Sequence, residues 1–254
     1  MRTAVITGSA SGLGAAIRRR FEGDGFRVVG VDLAGQEIDA DLSTASGRSL
    51  AMNSVLEATN RSIDTLVVCA GLGPHVEPTS QLVSVNYFGA VEVLDGLRPA
   101  LASGDHPSAI AISSNSIGIV PIQDMALIDA MLNDGEAAAV ALAGEFDGPS
   151  VYAMTKIALA RAVRSRVLSW GRAHVRLNAV APGPVLTPLL QGSLDDPVLG
   201  PMVEALPIPL ERRGEPDDIA AVVSFLASPD AAYVHGAILF ADGGTDALVR
   251  ADQY

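Results

Sequence analysis

The sequence has little cysteine, few basic residues and no long apolar run. A single cysteine, Cys69, cannot form an internal disulfide and fits a reducing compartment. Lys and Arg number 17 against 29 Asp and Glu, which gives a net charge of −12. An acidic chain without a basic run is not expected to bind nucleic acid. Apolar stretches are interrupted by Gly, Pro or charge well before the length of a membrane span, so no membrane partner is expected either.

Two further absences narrow the class of protein. A strand pattern begins within a few residues of Met1 and leaves no room for a signal peptide, so we expect a cytoplasmic protein. The four histidines show no metal-ligand spacing with one another or with Cys69, so we expect no metal site. What is present is a chain of 254 residues that is 49% apolar, long enough to bury a substantial core.

Short apolar runs alternate with longer helical segments along the chain. The runs are Thr3–Thr7, Arg27–Val31, Thr65–Cys69, Ala109–Ser113, Val175–Val180 and Ala237–Phe240. They lack strict polar–apolar alternation, as in parallel strands covered on both faces. The main helical segments begin near Gly12, Thr44, Gln81, Ser150 and Pro216. Because no linker divides the chain, we predict one α/β domain over residues 1–254. Its core would be a doubly wound parallel sheet of about seven strands with helices on both faces.

A glycine cluster joins the first predicted strand to the first predicted helix. Gly8 suits a tight turn, Gly12 lets the backbone approach a pyrophosphate, and Gly14 allows close packing of helix on strand. Ser11 and Leu13 lie in the same loop. The bound anion would sit at the positive end of the helix. An ordinary flexible turn is the alternative, since the spacing departs from Gly-x-Gly-x-x-Gly, but the strand–loop–helix context favours nucleotide binding.

An acidic residue, Asp32, closes the second predicted strand. A carboxylate there accepts hydrogen bonds from the adenosine ribose and repels a 2′-phosphate. No basic residue stands at Ser9, Ala10 or Leu33 to hold such a phosphate. The pattern therefore favours NAD over NADP, although a solvated aspartate at a strand end is the simpler interpretation.

A tyrosine and a lysine, Tyr152 and Lys156, share one helical face four residues apart. Alone, the pair is no more than a common surface pattern. Ser113 and Ser114 end a strand at the carboxyl edge of the predicted sheet, where doubly wound folds bind ligands. Asn86 interrupts the apolar face of the third helix and needs polar partners, so it is either structural or part of a polar relay.

These motifs occur in one order along the whole chain and resemble the short-chain dehydrogenase/reductase family. The motifs that carry the resemblance are Thr7-Gly8-x-x-x-Gly12-x-Gly14, Asp32, Cys69-Ala70-Gly71, Asn86, Ser114, Tyr152-x-x-x-Lys156 and Pro182-Gly183-Pro184. The resemblance implies a Rossmann-type fold and an NAD-dependent enzyme that interconverts a secondary alcohol and a ketone. Residues 69–74, 84–89 and 233–237 are similar to the bacterial 3α-hydroxysteroid dehydrogenases/carbonyl reductases of this family, which implies a hydrophobic substrate such as a steroid.

The resemblance also implies a role for each catalytic candidate. Tyr152 would be the general acid in reduction and, as phenolate, the base in oxidation. Lys156 would lower the pKa of that phenol and hold the nicotinamide ribose. Ser114 would bind the substrate oxygen, with Ser116 as a minor rival. Asn86 would anchor a water that relays protons to Lys156.

Further residues are assigned to the cofactor by the same resemblance. Asp41 and Leu42 would line the adenine, and Ala70 and Gly71 the ribose. Val185 and Thr187 would bind the carboxamide, and Pro182 and Gly183, in the turn before them, would also touch the cofactor. Tyr152 and Lys156 would also touch the cofactor. Cys69 would be a small buried filler and not a nucleophile, and Ser113 a buried hydroxyl bonded to backbone.

The sequence departs from the family between Ser114 and Tyr152, an interval far longer than in most relatives. The extra residues, 121–149, have the pattern of two short helices, Gln123–Asn133 and Glu136–Phe146, with a break at Gly135. This insertion could wall the substrate pocket or cover a face used for tetramer assembly. We expect the second role and therefore a homodimer.

A second distinctive segment, residues 186–210, has the composition of a mobile substrate lid. Its apolar residues are too many to face solvent: Leu189, Leu190, Leu194, Val198, Leu199, Met202 and Val203. They suit a flat apolar substrate, but a partner subunit or ordinary packing explains them equally well. Two other functions remain open. One is the same chemistry on another cyclic or small secondary alcohol, and the other is a non-catalytic NAD-sensing regulator.

Overall fold

Seven short strands form the centre of the protein, for which a computed structural model describes residues 1–122, 124–133 and 135–253. The strands are β1 (Thr3–Thr7), β2 (Arg27–Asp32), β3 (Ile38–Asp39), β4 (Thr65–Val68), β5 (Ser108–Ile112), β6 (Arg176–Pro182) and β7 (Ile238–Ala241). All pairings between them are parallel, in the order β3-β2-β1-β4-β5-β6-β7. The order reverses between β1 and β4, and ligands bind such sheets at the carboxyl ends beside that reversal.

Helices cover both faces of the sheet and its carboxyl edge. They are α1 (Gly12–Gly23), α2 (Ala45–Ala58), α3 (Ser80–Leu82), α4 (Gly89–Leu101), α5 (Ser116–Ile119), α6 (Ala126–Leu132), α7 (Glu136–Ala143), α8 (Gly148–Ser165), α9 (Val167–Arg172), α10 (Pro188–Asp195), α11 (Leu199–Glu204), α12 (Pro216–Ala227) and α13 (Thr245–Val249). A π-helical turn, Val83–Phe88, joins α3 to α4, and a 3-10 turn spans Pro229–Ala231.

The core has two halves, one on each side of the sheet. Ala4 and Ile6 of β1 pack into the half that contains α1 and α12, while Val5 packs into the half that contains α2, α4 and α8. All three are fully buried. Because successive strand residues point to opposite faces, burial of all three requires helices on both sides. The predicted doubly wound sheet is confirmed.

Several predicted boundaries are wrong by one or a few residues. The run predicted as Thr65–Cys69 ends at Val68, and the run Ala109–Ser113 is shifted to Ser108–Ile112. Strand ends are set by hydrogen bonding to the neighbouring strand, which composition does not record. The two-residue β3 is too short to produce a pattern. The helical segment predicted to begin near Ser150 is broken at Arg166, and the one predicted to begin near Gln81 contains the π-helical turn.

Both helices predicted within the insertion are present, each shorter than predicted. The first is Ala126–Leu132, and Gln123, its predicted start, lies outside the described residues. It buries Leu127, Ile128 and Met131 against α8. The second, α7, ends at Ala143 and packs on α3 and the π-helical turn. The insertion therefore covers the outer side of α8 and the segment that carries Asn86.

Candidate active site

A cavity of about 800 Å³ opens at the carboxyl ends of the strands. It is lined by all residues predicted to hold the cofactor: Gly8, Ser11, Gly12, Leu13, Gly14, Asp32, Asp41, Leu42, Ala70, Gly71, Tyr152, Lys156, Pro182, Gly183, Val185 and Thr187. Ser114 lines it as well, whereas Asn86 does not. The sheet thus gathers residues from the whole length of the chain around one space.

The glycine loop is held against the loop that follows β4. Gly8 has φ +69°, and a Cβ on it would lie 2.7 Å from the Cα of Ala70. A Cβ on Gly14 would overlap the carbonyl of Gly8, so only glycine allows α1 to approach β1 this closely. The Thr7 hydroxyl accepts the amide protons of Cys69 and Ala70, each at 3.1 Å. These contacts fix the floor of the cavity.

The N-terminus of α1 opens into the cavity beside this loop. Its N-cap, Ser11, has an extended backbone but makes no side-chain capping bond, and the first turn contains no acidic residue. An uncapped helix N-terminus offers amide donors and the positive end of the helix dipole. Such an end can hold a phosphate group.

Asp32 is oriented at the end of β2 by two backbone amides. Its Oδ2 accepts the amide of Ala10 at 2.9 Å, and its Oδ1 accepts the amide of Leu33 at 2.8 Å. Each oxygen has a further lone pair for another donor. The nearby guanidinium of Arg18 is bound by Glu37 at 2.6 Å and by Glu22 at 2.9 Å. The Asp32 carboxylate thus lines the cavity, whereas the Arg18 guanidinium is already paired with Glu37 and Glu22.

Tyr152 and Lys156 lie one turn apart on α8. The Lys156 Nζ is 5.6 Å from the centre of the Tyr152 ring and donates to the Ile112 carbonyl at 3.0 Å. The side chain of Ser114 lies close enough to the Tyr152 hydroxyl to favour its ionised form. The Ser114 Oγ in turn accepts the amide of Ser116 at 3.1 Å. The phenol of Tyr152, the ammonium of Lys156 and the hydroxyl of Ser114 therefore lie together at the carboxyl ends of the strands.

Burial is the largest influence on the pKa values of Tyr152, Lys156 and Cys69. Desolvation raises the pKa of Tyr152, and the hydrogen bond from Ser114 offsets this only in part. In the chain alone the pKa of Tyr152 is therefore raised, because loss of water around the phenolate outweighs the effect of Ser114. A lowering of this pKa by Lys156 together with the positive nicotinamide ring stays a prediction. Burial lowers the pKa of Lys156 to about 8 and raises that of Cys69 to about 12. The Tyr152 phenol is thus protonated at neutral pH and can donate its proton, and Lys156 titrates close to neutral pH.

Asn86 is bound to backbone rather than facing the cavity. Its Oδ1 accepts the amide of Leu72 at 2.7 Å, and its Nδ2 donates to the Leu72 carbonyl at 3.1 Å. The Nδ2 also lies 3.5 Å from the Thr155 hydroxyl. Of the two alternatives left open by the sequence, the structural one is present: Asn86 holds the loop after β4.

The neighbours of Ser114 are placed differently from it. The Ser113 Oγ donates to the Lys156 carbonyl at 3.1 Å, which confirms the expected buried hydroxyl bonded to backbone. Ser116 lines the cavity, but its Oγ has no hydrogen-bond partner within the described part of the chain. Among the three hydroxyls, that of Ser114 both lines the cavity and lowers the pKa of the Tyr152 phenol.

One end of the cavity is almost entirely apolar. Its walls are Leu72, Pro74, Val120, Pro121, Pro149, Leu189, Leu190, Leu199, Met202, Val203 and Leu206. Five of the seven apolar residues singled out in residues 186–210 are among them, and Leu194 and Val198 are not. Sequence reasoning missed the residues outside this segment. Only their position, just after the carboxyl ends of strands or just before the tyrosine helix, could have indicated them.

The inserted helices lie apart from this space. Within residues 124–133 and 135–148, no residue lines the cavity. The two end residues of the insertion, Pro121 and Pro149, do line the cavity. Of the two roles considered for the insertion, forming the wall of the pocket is therefore observed for these two residues and not for the inserted helices.

Two negative observations apply to residues 1–122, 124–133 and 135–253. No three His, Cys, Asp or Glu side chains come close enough to hold a metal ion. None of the helices combines the length and the apolar character that crossing a bilayer requires.

Comparison with known proteins identifies relatives over the full chain. A family model described as short chain dehydrogenase matches residues 2–127, and one described as enoyl-(acyl carrier protein) reductase matches residues 126–246. A 3-alpha-hydroxysteroid dehydrogenase/carbonyl reductase from Comamonas testosteroni is 46% identical over 100% of both chains. A cis-4-hydroxycyclohexanecarboxylate dehydrogenase from Sinomonas cyclohexanicum is 31% identical over 97% of each.

Solved structures give the same result. The 3-alpha-hydroxysteroid dehydrogenase from Pseudomonas sp. B-0831, crystallised with NADH, superposes with a TM-score of 0.97. It is 41% identical, and the match covers 99% of this chain and 100% of that one. Aldohexose dehydrogenase from Thermoplasma acidophilum, at 23% identity and a TM-score of 0.74, shares the fold.

Proposed function

Because the chain belongs to the short-chain dehydrogenase/reductase family, we propose that it interconverts a secondary alcohol and a ketone with NAD, and that 3α-hydroxysteroids are its substrates. The single observation that carries the chemistry is the contact of Tyr152 with Ser114 on the cavity, next to Lys156. The relative that is 46% identical carries the substrate class.

The residues of the cavity fit a dinucleotide. The open N-terminus of α1 suits the pyrophosphate, and Asp32 suits the hydroxyls of the adenosine ribose. Gly71 leaves the space beside Lys156 clear, since a Cβ there would lie 3.5 Å from Nζ. The remaining predicted contacts, from Asp41 and Leu42 to Val185 and Thr187, line the same cavity. When bound, NAD supplies the hydride acceptor in oxidation, and NADH the donor in reduction.

Tyr152 moves the proton. In reduction its hydroxyl gives a proton to the carbonyl oxygen of the substrate, and in oxidation the phenolate takes the proton of the alcohol as the carbon–hydrogen bond breaks. The raised pKa of Tyr152 favours the donor form. Oxidation therefore depends on positive charge that stabilises the phenolate, and Lys156 is the cation placed to supply it.

Ser114 and Lys156 orient the reactants. The Ser114 Oγ accepts a hydrogen bond from the Ser116 amide and interacts with the Tyr152 hydroxyl, which places it to bind the substrate oxygen and stabilise charge on it. Lys156 uses one N–H on Ile112, which leaves two for the nicotinamide ribose. We further propose that Asn86, in addition to holding Leu72, uses its remaining hydrogen-bonding capacity to anchor a water that leads protons to Lys156.

A specific observation supports a second candidate substrate class. The relative from Sinomonas cyclohexanicum acts, by its name, on a hydroxylated cyclohexane ring, and it is 31% identical. A smaller cyclic alcohol would fill less of the apolar end of the cavity. The protein would then use the same Tyr152 chemistry on a different ring.

Location and assembly complete the proposal: a cytoplasmic homodimer of single-domain chains with residues 186–210 as a substrate lid. The supporting observations are the single cysteine and the inserted helices that cover α8. Sedimentation of the purified protein measures the assembly directly. A compact tetramer would contradict the dimer.

NADH formation with a pair of steroid epimers tests the substrate class. Androsterone and its 3β epimer differ only at the reacting carbon, so they have nearly the same apolar area. We expect turnover with the 3α alcohol and a rate about 100-fold lower with the 3β alcohol, because misplacing the hydroxyl removes its contacts with Ser114 and Tyr152. Turnover of cyclohexanols without turnover of any steroid would instead support the second candidate.

A further inference from the structure

A fully buried arginine links three separate elements beside the adenine end of the cavity. Arg48 of α2 is 0% exposed. Its Nε donates to Glu92 on α4 at 2.6 Å, and its Nη2 donates to Glu136 on α7 at 2.6 Å. Its Nη1 reaches the Leu42 carbonyl at 3.2 Å and the second oxygen of Glu136 at 3.3 Å. Every nitrogen of the guanidinium thus has an acceptor.

The paired carboxylates make this burial tolerable. Desolvation, the largest single influence, lowers the pKa of Arg48, but the hydrogen bonds and charges of Glu136 and Glu92 together outweigh it and leave the pKa above its usual value. A buried cation with such partners holds them in one geometry, and removal of either side leaves a charge uncompensated. Arginine suits this position because its planar fork binds a carboxylate through two nitrogens.

The carbonyl that Arg48 binds belongs to the wall of the cavity. Leu42 and its neighbour Asp41 both line the cavity beyond β3. This wall is also pressed against α2, since a Cβ on Gly47 would overlap the Asp41 carbonyl. The loop that contains Asp41 and Leu42 is therefore positioned by α2. The hydrogen bond from Arg48 to the Leu42 carbonyl holds it in that position.

Arg48 also contacts the insertion, through Glu136. Glu136 stands in the first turn of α7, which lines no part of the cavity but packs against α3 and the π-helical turn. Through Arg48 this inserted helix is tied to the Asp41–Leu42 part of the cavity wall.

We propose that Arg48 is a positioning residue for the adenosine half of the cofactor. By fixing the Asp41–Leu42 wall to α7, it sets the affinity for the adenine end and leaves the hydride-transfer end unchanged. The proposal rests on the proposed NAD-dependent function, and it gives the inserted helix a role in cofactor binding through Glu136.

Binding of AMP, of nicotinamide mononucleotide and of NAD tests the proposal by calorimetry and kinetics. In Arg48→Lys we expect the Kd of AMP and the KM of NAD to rise about ten-fold, a change of ~1.4 kcal/mol, because one nitrogen cannot hold the wall and both carboxylates. The Kd of nicotinamide mononucleotide and kcat at saturating NAD should stay within about two-fold. A merely structural role would not separate the two halves of the dinucleotide.

Two further variants keep the test decisive. Glu136→Gln retains the pairing of Arg48 with Glu92 and should weaken AMP about three-fold. Asp95→Asn is the matched control, since Asp95 lies on α4 one turn after Glu92 but pairs with Arg166 at the surface, at 2.7 Å. It should leave AMP affinity unchanged.

Either of two results overturns the proposal. One is wild-type AMP affinity in a folded Arg48→Lys protein or, if that variant does not fold, in Glu136→Gln. The other is an equal loss of AMP and nicotinamide mononucleotide binding. Because AMP binding needs no turnover, these titrations judge Arg48 even if the protein oxidises no alcohol.

Discussion

The Lys156 ammonium is fixed 5.6 Å from the centre of the Tyr152 ring by a 3.0 Å hydrogen bond to the Ile112 carbonyl. Helix α8 supplies both side chains, and the end of β5 supplies the carbonyl. The cation therefore cannot swing away from the phenol without losing a buried hydrogen bond. The arrangement depends on the four-residue spacing of Tyr152 and Lys156 along α8 and on the position of α8 beside the end of β5, which brings the Ile112 carbonyl to Nζ.

The charge state of Lys156 is the first testable consequence. Burial lowers its pKa from 10.5 to about 8. It is the only lysine of the chain, so a carbon-13 label on lysine gives a single NMR signal for its titration. We expect a midpoint close to pH 8 without cofactor. A midpoint at or above 10 would contradict the burial of the ammonium.

The same shift predicts the effect of Lys156→Met on stability. A lowered lysine pKa means that the fold disfavours the charged form, so the cost is fully present below pH 8 and disappears as pH rises toward 10.5. At pH 7 the variant should be inactive but more resistant to urea, by about 1–3 kcal/mol in the free energy of unfolding. The difference from wild type should shrink at pH 10. A variant less stable than wild type at pH 7 would disprove this account.

Cofactor preference should depend on Asp32. Asp32→Ala removes two acceptors for ribose hydroxyls and the repulsion of a 2′-phosphate, so the KM of NAD should rise about ten-fold and kcat/KM with NADP should increase. The gain with NADP should stay modest, because Arg18 is held by Glu37, whose pKa the pairing lowers to about 2. Asp39→Asn, on β3 and outside the cavity lining, is the control and should change neither constant.

Cys69 should be unreactive although it lines the cavity. Burial raises its pKa to about 12, so almost no thiolate exists at neutral pH. We expect labelling by a thiol reagent to be at least about 100-fold slower in the native protein than in urea. Cys69→Ala should retain activity. Rapid labelling of the folded protein, or loss of turnover in the alanine variant, would mean that the thiol has a role in the chemistry.

Two neighbouring residues of residues 186–210 test the apolar end of the cavity. Met202 lines the cavity and is 59% exposed, whereas Val198 is 70% exposed and does not line it. Met202→Ala removes apolar contact area from a steroid, so its KM should rise about ten-fold, with less change for a cyclohexanol. Val198→Ala should affect neither. Equal effects of the two variants would assign these residues to general packing.

The sequence could predict those parts of the site in which a physical requirement selects the residue type. The glycines follow from backbone approach and Asp32 from ribose recognition, whereas the Tyr152–Lys156 pair was selected by the family resemblance. All of them line one cavity. Asn86 illustrates the limit: its polarity on an apolar helix face indicated buried partners, but not that they are the amide and carbonyl of Leu72. That choice depends on where two distant loops meet.

The remaining differences have a tertiary origin as well. The pKa of Tyr152 is set by how much water the fold excludes, and no local pattern records it. Arg48 carries no motif, and its importance is visible only where α4 and α7 converge on α2. The apolar wall comes from loops such as Val120-Pro121, whose neighbours in space lie far away in the chain.

The acid–base role of Tyr152 is tested most directly by NADH formation from androsterone, compared between wild type and Tyr152→Phe at equal, saturating NAD. The variant retains the ring and its packing but has no proton to exchange, so we predict a fall in kcat of about 1,000-fold with NAD affinity unchanged. Tyr152→Phe with wild-type turnover, in a protein that still binds NAD, would contradict the account.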